Sequence, residues 1–240
     1  MILTIYIIIL AYFVLGAIGF YFINRKKSRE DARKNRIKLI TYFLIIHILF
    51  VGIVFNPVVF HYLAILIIIA GYYEIIGLFI RSTQKSWLFF ILSLLIYSLL
   101  SLGLYNFSLL NKDLILFTFI VLSVFDSFSQ ISGQIMGKRK LMPDISPNKT
   151  IEGLLGGAII ALITAFLVRS LISYDLLYLL LVVAGILVFA FLGDMLTSYY
   201  KRRYQTKDFS KIIPGHGGFL DRFDSLIAGG AWISIISLLI

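Results

Sequence analysis

Apolar stretches long enough to cross a bilayer recur along most of this chain, and they limit its fold more than any other feature. A transmembrane helix needs roughly 17–25 mainly apolar residues, and a helix satisfies the backbone hydrogen bonds that lipid cannot. Eight stretches fit, at residues 2–23, 38–55, 58–80, 86–105, 114–131, 151–172, 176–198 and 224–240. The sequence therefore predicts an all-α fold, a polytopic transmembrane helical bundle with about eight spans.

The composition excludes a soluble domain of this length. Only 14% of the 240 residues are charged, whereas a soluble domain has about 25%. The net charge of +10 does not indicate nucleic-acid binding, because the basic residues lie in loops between apolar stretches. The first stretch lacks a cationic leader and a small-residue cleavage site, so we predict a retained span rather than a signal peptide.

The basic residues predict the orientation in the membrane. The loops after the first, third, fifth and seventh stretches hold 20 of the 22 Lys and Arg residues. Cytoplasmic loops carry such an excess. We therefore expect an integral protein of the cell inner membrane, with both termini outside the cytoplasm and the segment before the last stretch facing it.

The two halves of the chain differ in polar content. Residues 1–113 are predicted to form N-terminal transmembrane helices. A homodimer that forms through these helices is an open alternative to a monomer. Residues 114–240 hold most of the acids, glycines and polar loops of the spans, and are predicted to form a C-terminal catalytic transmembrane region. Glu74, near the end of the third stretch, is predicted to reach the interface or pair with Arg81, with a site role as the alternative.

The segment between the last two stretches carries chemistry that lipid accepts only at high cost. Residues 198–224 read SYYKRRYQTKDFSKIIPGHGGFLDRFD, with a Lys/Arg cluster, a glycine-rich turn and an Asp-Arg-x-Asp run. Such a segment must lie at the water boundary or line a cavity. Cations hold phosphates and carboxylates hold divalent metals, so the segment indicates phosphoryl-group chemistry at a membrane surface.

Acids in or near the apolar stretches of the second half are candidate metal ligands, since an intramembrane carboxylate is expensive. They are Asp126, Asp194, Asp221 and Asp224. Asp194 precedes Ser198 by four residues, so the two share one face of a helix. Carboxylates from two helix ends would form an oxygen-rich site suited to Mg²⁺. Alternatively, each acid pairs with a nearby Lys or Arg and holds helices together.

Two polar turns offer anion-binding groups. The glycines around His216 let the backbone approach a ligand and can form an anion-holding nest, although an ordinary interfacial turn also uses glycines. In an upstream loop, Lys149 precedes a helix and is a candidate phosphate ligand. Ser146 and Thr150 are alternative caps of that helix, and Glu152 in its first turn suits the helix dipole.

Taken together, these motifs resemble the signature of the phosphatidate cytidylyltransferase (CDP-diacylglycerol synthase) family. The resemblance rests on residues 198–224, on Gly193-Asp194 with Ser198, and on residues 146–153. It covers roughly residues 120–240. Many family members differ at residues 127–130, where this chain has Ser-Phe-Ser-Gln, so reaction type is better supported than acceptor identity.

The resemblance implies transfer of a cytidylyl group from CTP to phosphatidate in the lipid bilayer, giving CDP-diacylglycerol and pyrophosphate for phospholipid biosynthesis. It implies a Mg²⁺ centre at Asp194 and Asp221. The implied catalytic residues are Asp194, Asp221, Asp224, Lys207 and His216. The implied substrate-binding residues are Asp126, Ser146, Lys149, Thr150, Glu152, Ser198, Lys201, Arg202, Gly217, Gly218 and Arg222.

Other functions remain open. One is CTP-dependent transfer to a different lipid phosphate, and another is a CTP-using polyprenol kinase that passes on the γ-phosphate. A transporter of an anionic solute would also bury acids and interrupt helices with glycine. It is less favoured, because the polar groups crowd one face of the membrane.

Overall fold

The computed structural model describes residues 2–25, 27–172, 175–213 and 217–238. Within these ranges the chain forms eight α-helices and one two-stranded antiparallel hairpin. The elements are α1 (Ile2–Asn24), α2 (Arg29–Phe55), α3 (Pro57–Arg81), α4 (Trp87–Phe107), α5 (Lys112–Met136), β1 (Lys140–Met142), β2 (Ser146–Thr150), α6 (Ile151–Leu167), α7 (Leu176–Arg203) and α8 (Leu220–Ile236). A single 3-10 turn, Arg169–Leu171, follows α6. The predicted all-α bundle is confirmed.

Each predicted apolar stretch overlaps one helix, and the chain is an integral membrane protein. Six helices, α1 to α5 and α7, are long and apolar enough to cross a bilayer. The other two, α6 and α8, have 17 residues each. At 1.5 Å per residue they are about 25 Å long, somewhat less than a hydrocarbon core of about 30 Å. The predicted count of eight spans is therefore approximate.

Local capping signals set two of the helix boundaries. Asn56 accepts a hydrogen bond from the first turn of α3 and is followed by Pro57, which suits the first helical position. This pair separates α2 from α3, where the apolar sequence is nearly continuous. Thr150 caps α6 by accepting from the N–H of Gly153 at 3.1 Å. Of the two predicted caps, the structure therefore shows Thr150 rather than Ser146.

Several elements extend into polar sequence that an apolar pattern cannot detect. The helix α2 begins at Arg29 rather than at residue 38, α7 continues to Arg203, and α8 begins at Leu220 rather than at residue 224. Arg, Lys and Glu favour helix, so charged sequence prolongs helices beyond the lipid. Polar residues 140–150, expected to be a loop, form the β1–β2 hairpin.

The helices α5 and α8 form the centre of the bundle. Nearly every residue of α5 from 115 to 125 is buried, and α5 contacts α1, α2, α6, α7 and α8. Glycines allow α6 to approach it closely: a Cβ atom at Gly157 would lie 2.7 Å from the backbone oxygen of Phe125. Small residues at helix contacts are typical of membrane bundles.

The loops that carry the basic residues meet at one end of the bundle. Lys27, after α1, donates a hydrogen bond to Gln134 near the end of α5 at 3.3 Å. Arg81, at the end of α3, donates to the backbone oxygen of Phe209 at 2.8 Å. Phe209 belongs to the loop that follows α7. Loops that are distant in sequence therefore lie together and form one polar surface. We call this surface the polar end.

Candidate active site

A cavity of about 710 Å³ extends from the polar end into the bundle, between α1, α2, α5, α7, α8 and the hairpin. Its polar part is lined by charged side chains of α5, the hairpin, α7 and α8, whereas its apolar part is lined mainly by α1, α2 and α5. The apolar lining includes Ile9, Phe13, Ile45, Leu49 and Phe119. The cavity therefore joins two chemically different environments.

Three carboxylates from three helices line the polar part. Asp126 of α5, Asp194 of α7 and Asp224 of α8 lie within electrostatic range of one another. As the four-residue spacing predicted, Ser198 donates to Asp194 Oδ1, at 3.3 Å. Thr197, which the sequence analysis did not single out, donates to Asp224 Oδ2 at 2.6 Å. The site thus concentrates negative charge in a partly buried space.

Asp221 lines the same cavity but is held differently. Its Oδ1 accepts from the ammonium group of Lys201, and its Oδ2 accepts from the N–H groups of Phe209 and Gly218 at 2.9 Å each. The side chain is only 4% exposed. The loop after α7 therefore folds around this carboxylate. Asp194 and Asp221 are brought to one cavity, as the sequence predicted, yet each already has a lysine partner.

The donor chemistry of this cavity fits Mg²⁺. Within the described ranges, no group of three or more His, Cys, Asp or Glu side chains forms a ready metal cage. Mg²⁺, however, is commonly held by one or two carboxylates together with substrate phosphates and water. The carboxylates from α5, α7 and α8 offer hard oxygen donors of that kind. The Mg²⁺ centre at Asp194 and Asp221 stays a prediction.

Glu74 is the main residue of the polar end that the sequence analysis placed wrongly. It is 1% exposed, and its carboxylate accepts from the hydroxyl of Ser210 at 2.7 Å and from the N–H groups of Phe219 and Leu220 at 3.0 and 2.7 Å. Arg81, its expected partner, donates to Phe209 instead. The two residues of α3 thus hold different parts of the same loop.

The glycine pair of this loop is required by its geometry. Gly217 has a φ of +82°, a conformation that favours glycine. A Cβ atom at Gly218 would lie 2.2 Å from Glu74 Oε1. Among the described residues these glycines shape the turn and do not line the cavity. His216 lies outside the described residues, and its role stays a prediction.

The hairpin contributes Ser146, Lys149 and Thr150 to the cavity. Lys149 pairs with Asp194 and lies 5.0 Å from the ring centre of Phe191. Glu152 instead accepts from the N–H groups of residues 138 and 139, and from Arg139 Nε, at 3.0–3.1 Å. Glu152 therefore secures the loop before the hairpin, outside the described cavity lining.

The predicted cations of α7, its loop and α8 all line the cavity. They are Lys201, Arg202, Lys207 and Arg222. Arg202 is committed to the protein, since it donates to the backbone oxygens of Ile145 and Thr206 at 3.0 and 2.9 Å. Ser198 is not part of the described lining and acts on the site through Asp194. Neither Lys207 nor Arg222 forms a salt bridge with another of the described residues.

Comparison with known proteins identifies the chain's family. The model of the cytidylyltransferase family matches residues 81–239, well over half of the sequence. The chain belongs to the cytidylyltransferase family. The matched range contains α4 to α8 and therefore the candidate metal ligands Asp126, Asp194, Asp221 and Asp224.

Part of this cytidylyltransferase-family chain is similar to individual named proteins. Proteins named phosphatidate cytidylyltransferase from Staphylococcus saprophyticus, Staphylococcus haemolyticus and Bacillus subtilis are 47%, 48% and 46% identical to it over 115 residues. The aligned part covers 47% of this chain and 43–44% of each relative. The resemblance recognised in the motifs is thus confirmed, over less than half the length of these relatives.

The family match begins at Arg81, so most of α1 to α3 lies outside it. These helices nevertheless contribute Glu74 to the polar end and Lys38 to the cavity lining. The basic loop that ends at Lys38 was interpreted as an orientation signal, with contact to anionic lipid as a further role. The structure shows that α2 begins at Arg29, so Lys38 lies within the helix and on its cavity face.

Proposed function

We propose that this protein is a membrane-embedded cytidylyltransferase that converts CTP and phosphatidate to CDP-diacylglycerol and pyrophosphate in phospholipid biosynthesis. The observation that carries the proposal is the two-part cavity, with carboxylates and cations at one end and an apolar wall at the other. A lipid with a phosphate head and hydrocarbon tails matches both parts. Relatives that are similar over 115 residues bear the name of this activity.

In the proposed reaction, an oxygen of the lipid phosphate attacks the α-phosphorus of CTP. The bond from the α-phosphorus to the oxygen that bridges it to the β-phosphorus breaks, and pyrophosphate leaves with the bond's electrons. The nucleophile is already an anion, so little proton transfer is needed. Catalysis must come mainly from positioning and charge stabilisation.

The side chains of the cavity have the charges that this step requires. Lys149, Lys207 and Arg222 hold and neutralise phosphate oxygens. Asp194 and Asp221 are the proposed Mg²⁺ ligands, and Asp126 and Asp224 supply further oxygen atoms in the same cavity. Bound Mg²⁺ would supply additional neutralisation of phosphate charge.

In the proposed orientation, the protein lies in the inner membrane of the cell and its polar end faces the cytoplasm. The basic loops that meet there support this orientation by the positive-inside rule. CTP would then arrive from water, while phosphatidate reaches the apolar part of the cavity from the bilayer.

The test uses purified protein, Mg²⁺, phosphatidate and CTP labelled at either the α- or the γ-phosphate. We expect α-label in the lipid product and release of pyrophosphate. Label from the γ-phosphate in the lipid would instead identify a kinase. Absence of label from both positions with phosphatidate, but incorporation of α-label into another lipid phosphate, would correct the acceptor.

A further inference from the structure

One face of α2 lines the cavity over several helical turns. Cavity-lining residues recur at intervals of three or four, as expected for one side of a helix: Asn35, Lys38, Tyr42, Ile45 and Leu49. Leu39 and Ile46, next to them in sequence, also line the cavity. This face changes from polar to mainly apolar after Lys38. Between Lys38 and Leu49 the helix rises about 16 Å. A cation therefore stands at one end of an apolar wall.

Lys38 also belongs to a group of cations. It experiences the charges of Lys27, Lys207 and Arg222 and that of the Asp208 carboxylate, while Arg222 also interacts with the carboxylate of Asp224. Lys38, Lys207 and Arg222 line the same cavity, and no salt bridge among the described residues includes them.

Arg222 gives an independent indication that an anion binds here. Its Nε is buried and has no hydrogen-bond partner within the described part of the chain. A buried donor without an acceptor is costly, and neighbouring like charges repel. A bound anion would relieve both costs at once.

The position of Lys38 decides between the two anionic substrates. The cations nearest the carboxylates, Lys149 and Lys201, are paired with Asp194 and Asp221 on the hairpin and α7 side of the cavity. Lys38 instead adjoins the apolar face of α2. A nucleotide has no hydrocarbon to cover that face, whereas a lipid phosphate has both the anion and the tail.

We propose that Lys38, together with Lys207 and Arg222, binds the phosphate group of the lipid acceptor while its hydrocarbon chain lies along the cavity face of α2. The inference rests on the proposed function for the identity of the acceptor. It adds a lipid-phosphate subsite built partly from a helix outside the residues that the family model matches. Lys38 acts by binding and orienting the acceptor, so it discriminates between lipid head groups.

The first experiment measures binding without turnover. Native mass spectrometry of the full-length protein compares phosphatidate with phosphatidylcholine of the same acyl chains, and measures CTP separately. We expect the wild type to prefer phosphatidate and Lys38→Ala to bind it about tenfold more weakly, as for loss of one hydrogen bond between charged groups. Binding of CTP should not change.

Lys34→Ala is the matched control. Lys34 lies one turn earlier on α2 and pairs with Glu30 at 2.7 Å, so its removal deletes the same charge from the same helix. It does not line the cavity within the described structure. We expect Lys34→Ala to bind both lipids as the wild type does, which separates a subsite from a general effect of the basic loop.

The second experiment restores the charge chemically. The chain has no cysteine, so Lys38→Cys introduces a single thiol. Modification with an aminoethyl thiosulfonate attaches an ammonium group, and a sulfonatoethyl thiosulfonate attaches an anion. We expect the first reagent to restore phosphatidate binding and the second to leave it weak, with neither affecting binding by Lys34→Cys.

Several results would overturn the subsite. One is that Lys38→Ala binds phosphatidate as the wild type does, and another is that it loses CTP binding instead. The subsite is also overturned if Lys34→Ala loses as much phosphatidate binding as Lys38→Ala, or if the wild type shows no preference for phosphatidate. Pyrophosphate release is measured in parallel. If the wild type discriminates between head groups but releases no pyrophosphate, the proposed function is refuted and the subsite is supported. If Lys38→Ala turns over and binds phosphatidate as the wild type does, only the subsite is refuted.

Discussion

The carboxylate of Glu74 accepts a hydrogen bond from the backbone N–H of Leu220 at 2.7 Å, across 146 residues of sequence. Leu220 is the first residue of α8, and the residue before it, Phe219, makes no side-chain cap. A helix start leaves N–H groups without partners, and a carboxylate there is favourable. A residue of α3 therefore caps the helix that carries Asp221 and Asp224.

Replacing Glu74 should disturb both stability and turnover. Glu74→Ala leaves three donors without their acceptor, at about 1–3 kcal/mol for each one that stays buried and unpaired. We expect a clear fall in the thermal unfolding temperature in detergent and a fall of about tenfold or more in kcat/KM. Glu74→Gln keeps one carbonyl acceptor and should lose less.

The control for Glu74 is Glu30→Ala, which removes an exposed acid that pairs with Lys34. Both unfolding temperature and turnover of this variant should match the wild type. Wild-type behaviour of Glu74→Ala would contradict the capping role.

The two proposed metal ligands should differ in their effect on folding. Asp194→Asn and Asp221→Asn should both abolish pyrophosphate release. Asp194 is 32% exposed, so its neutralisation should leave the fold intact, whereas Asp221 is 4% exposed and anchors Lys201 and two backbone N–H groups. Breaking one partner of a buried ion pair costs about 3–5 kcal/mol, so only Asp221→Asn should also lower the unfolding temperature.

Asp144→Asn is the control for these variants, because Asp144 is an exposed acid of the hairpin. Substantial activity in either Asp194→Asn or Asp221→Asn would refute the proposed metal site. An unchanged unfolding temperature in Asp221→Asn would show that the loop does not depend on this carboxylate.

Lys149→Ala should raise the KM for CTP by about tenfold, as expected when a cation that contacts phosphate is removed. Lys149 lies between the carboxylate of Asp194 and the ring of Phe191, at the polar part of the cavity. Steady-state kinetics at saturating phosphatidate checks the effect. Lys138→Ala removes an exposed cation from the same loop and should change nothing. An unchanged KM in Lys149→Ala would restrict that lysine to pairing with Asp194.

Removal of divalent metal should stop turnover without unfolding the protein. Treatment with EDTA is expected to abolish pyrophosphate release, and added Mg²⁺ should restore it. The unfolding temperature should stay constant, because Lys149 and Lys201 hold Asp194 and Asp221 without a metal. Full activity in EDTA would eliminate the Mg²⁺ requirement.

Gly157→Ala should destabilise the contact between α5 and α6. Its Cβ atom would lie 2.0 Å from Ser129 Oγ and 2.7 Å from the backbone oxygen of Phe125. Overpacking of this kind typically costs about 1–3 kcal/mol. The same substitution at Gly77 meets nothing closer than 3.9 Å and should be neutral or slightly stabilising. Thermal unfolding in detergent compares the two, and equal unfolding temperatures would contradict close packing at Gly157.

Local patterns in the sequence were sufficient for the membrane fold and for most of the charged groups at the site. Apolar stretches identify helices because a bilayer selects for length and hydrophobicity, and these are properties of contiguous residues. The pairing of Asp194 with Ser198 follows from helical spacing for the same reason. Asp126, Asp194, Asp221 and Asp224 were found in the same way, as carboxylates in or beside apolar stretches.

Contacts between distant segments had to come from the folded chain. No local pattern indicates that Glu74 caps α8, that the amides around Phe209 and Gly218 bind Asp221, or that Lys38 faces a cavity near Arg222. These relationships depend on how helices pack and on the rotation of each helix about its axis. Helical spacing determines which residues share a face, but only packing decides what that face contacts.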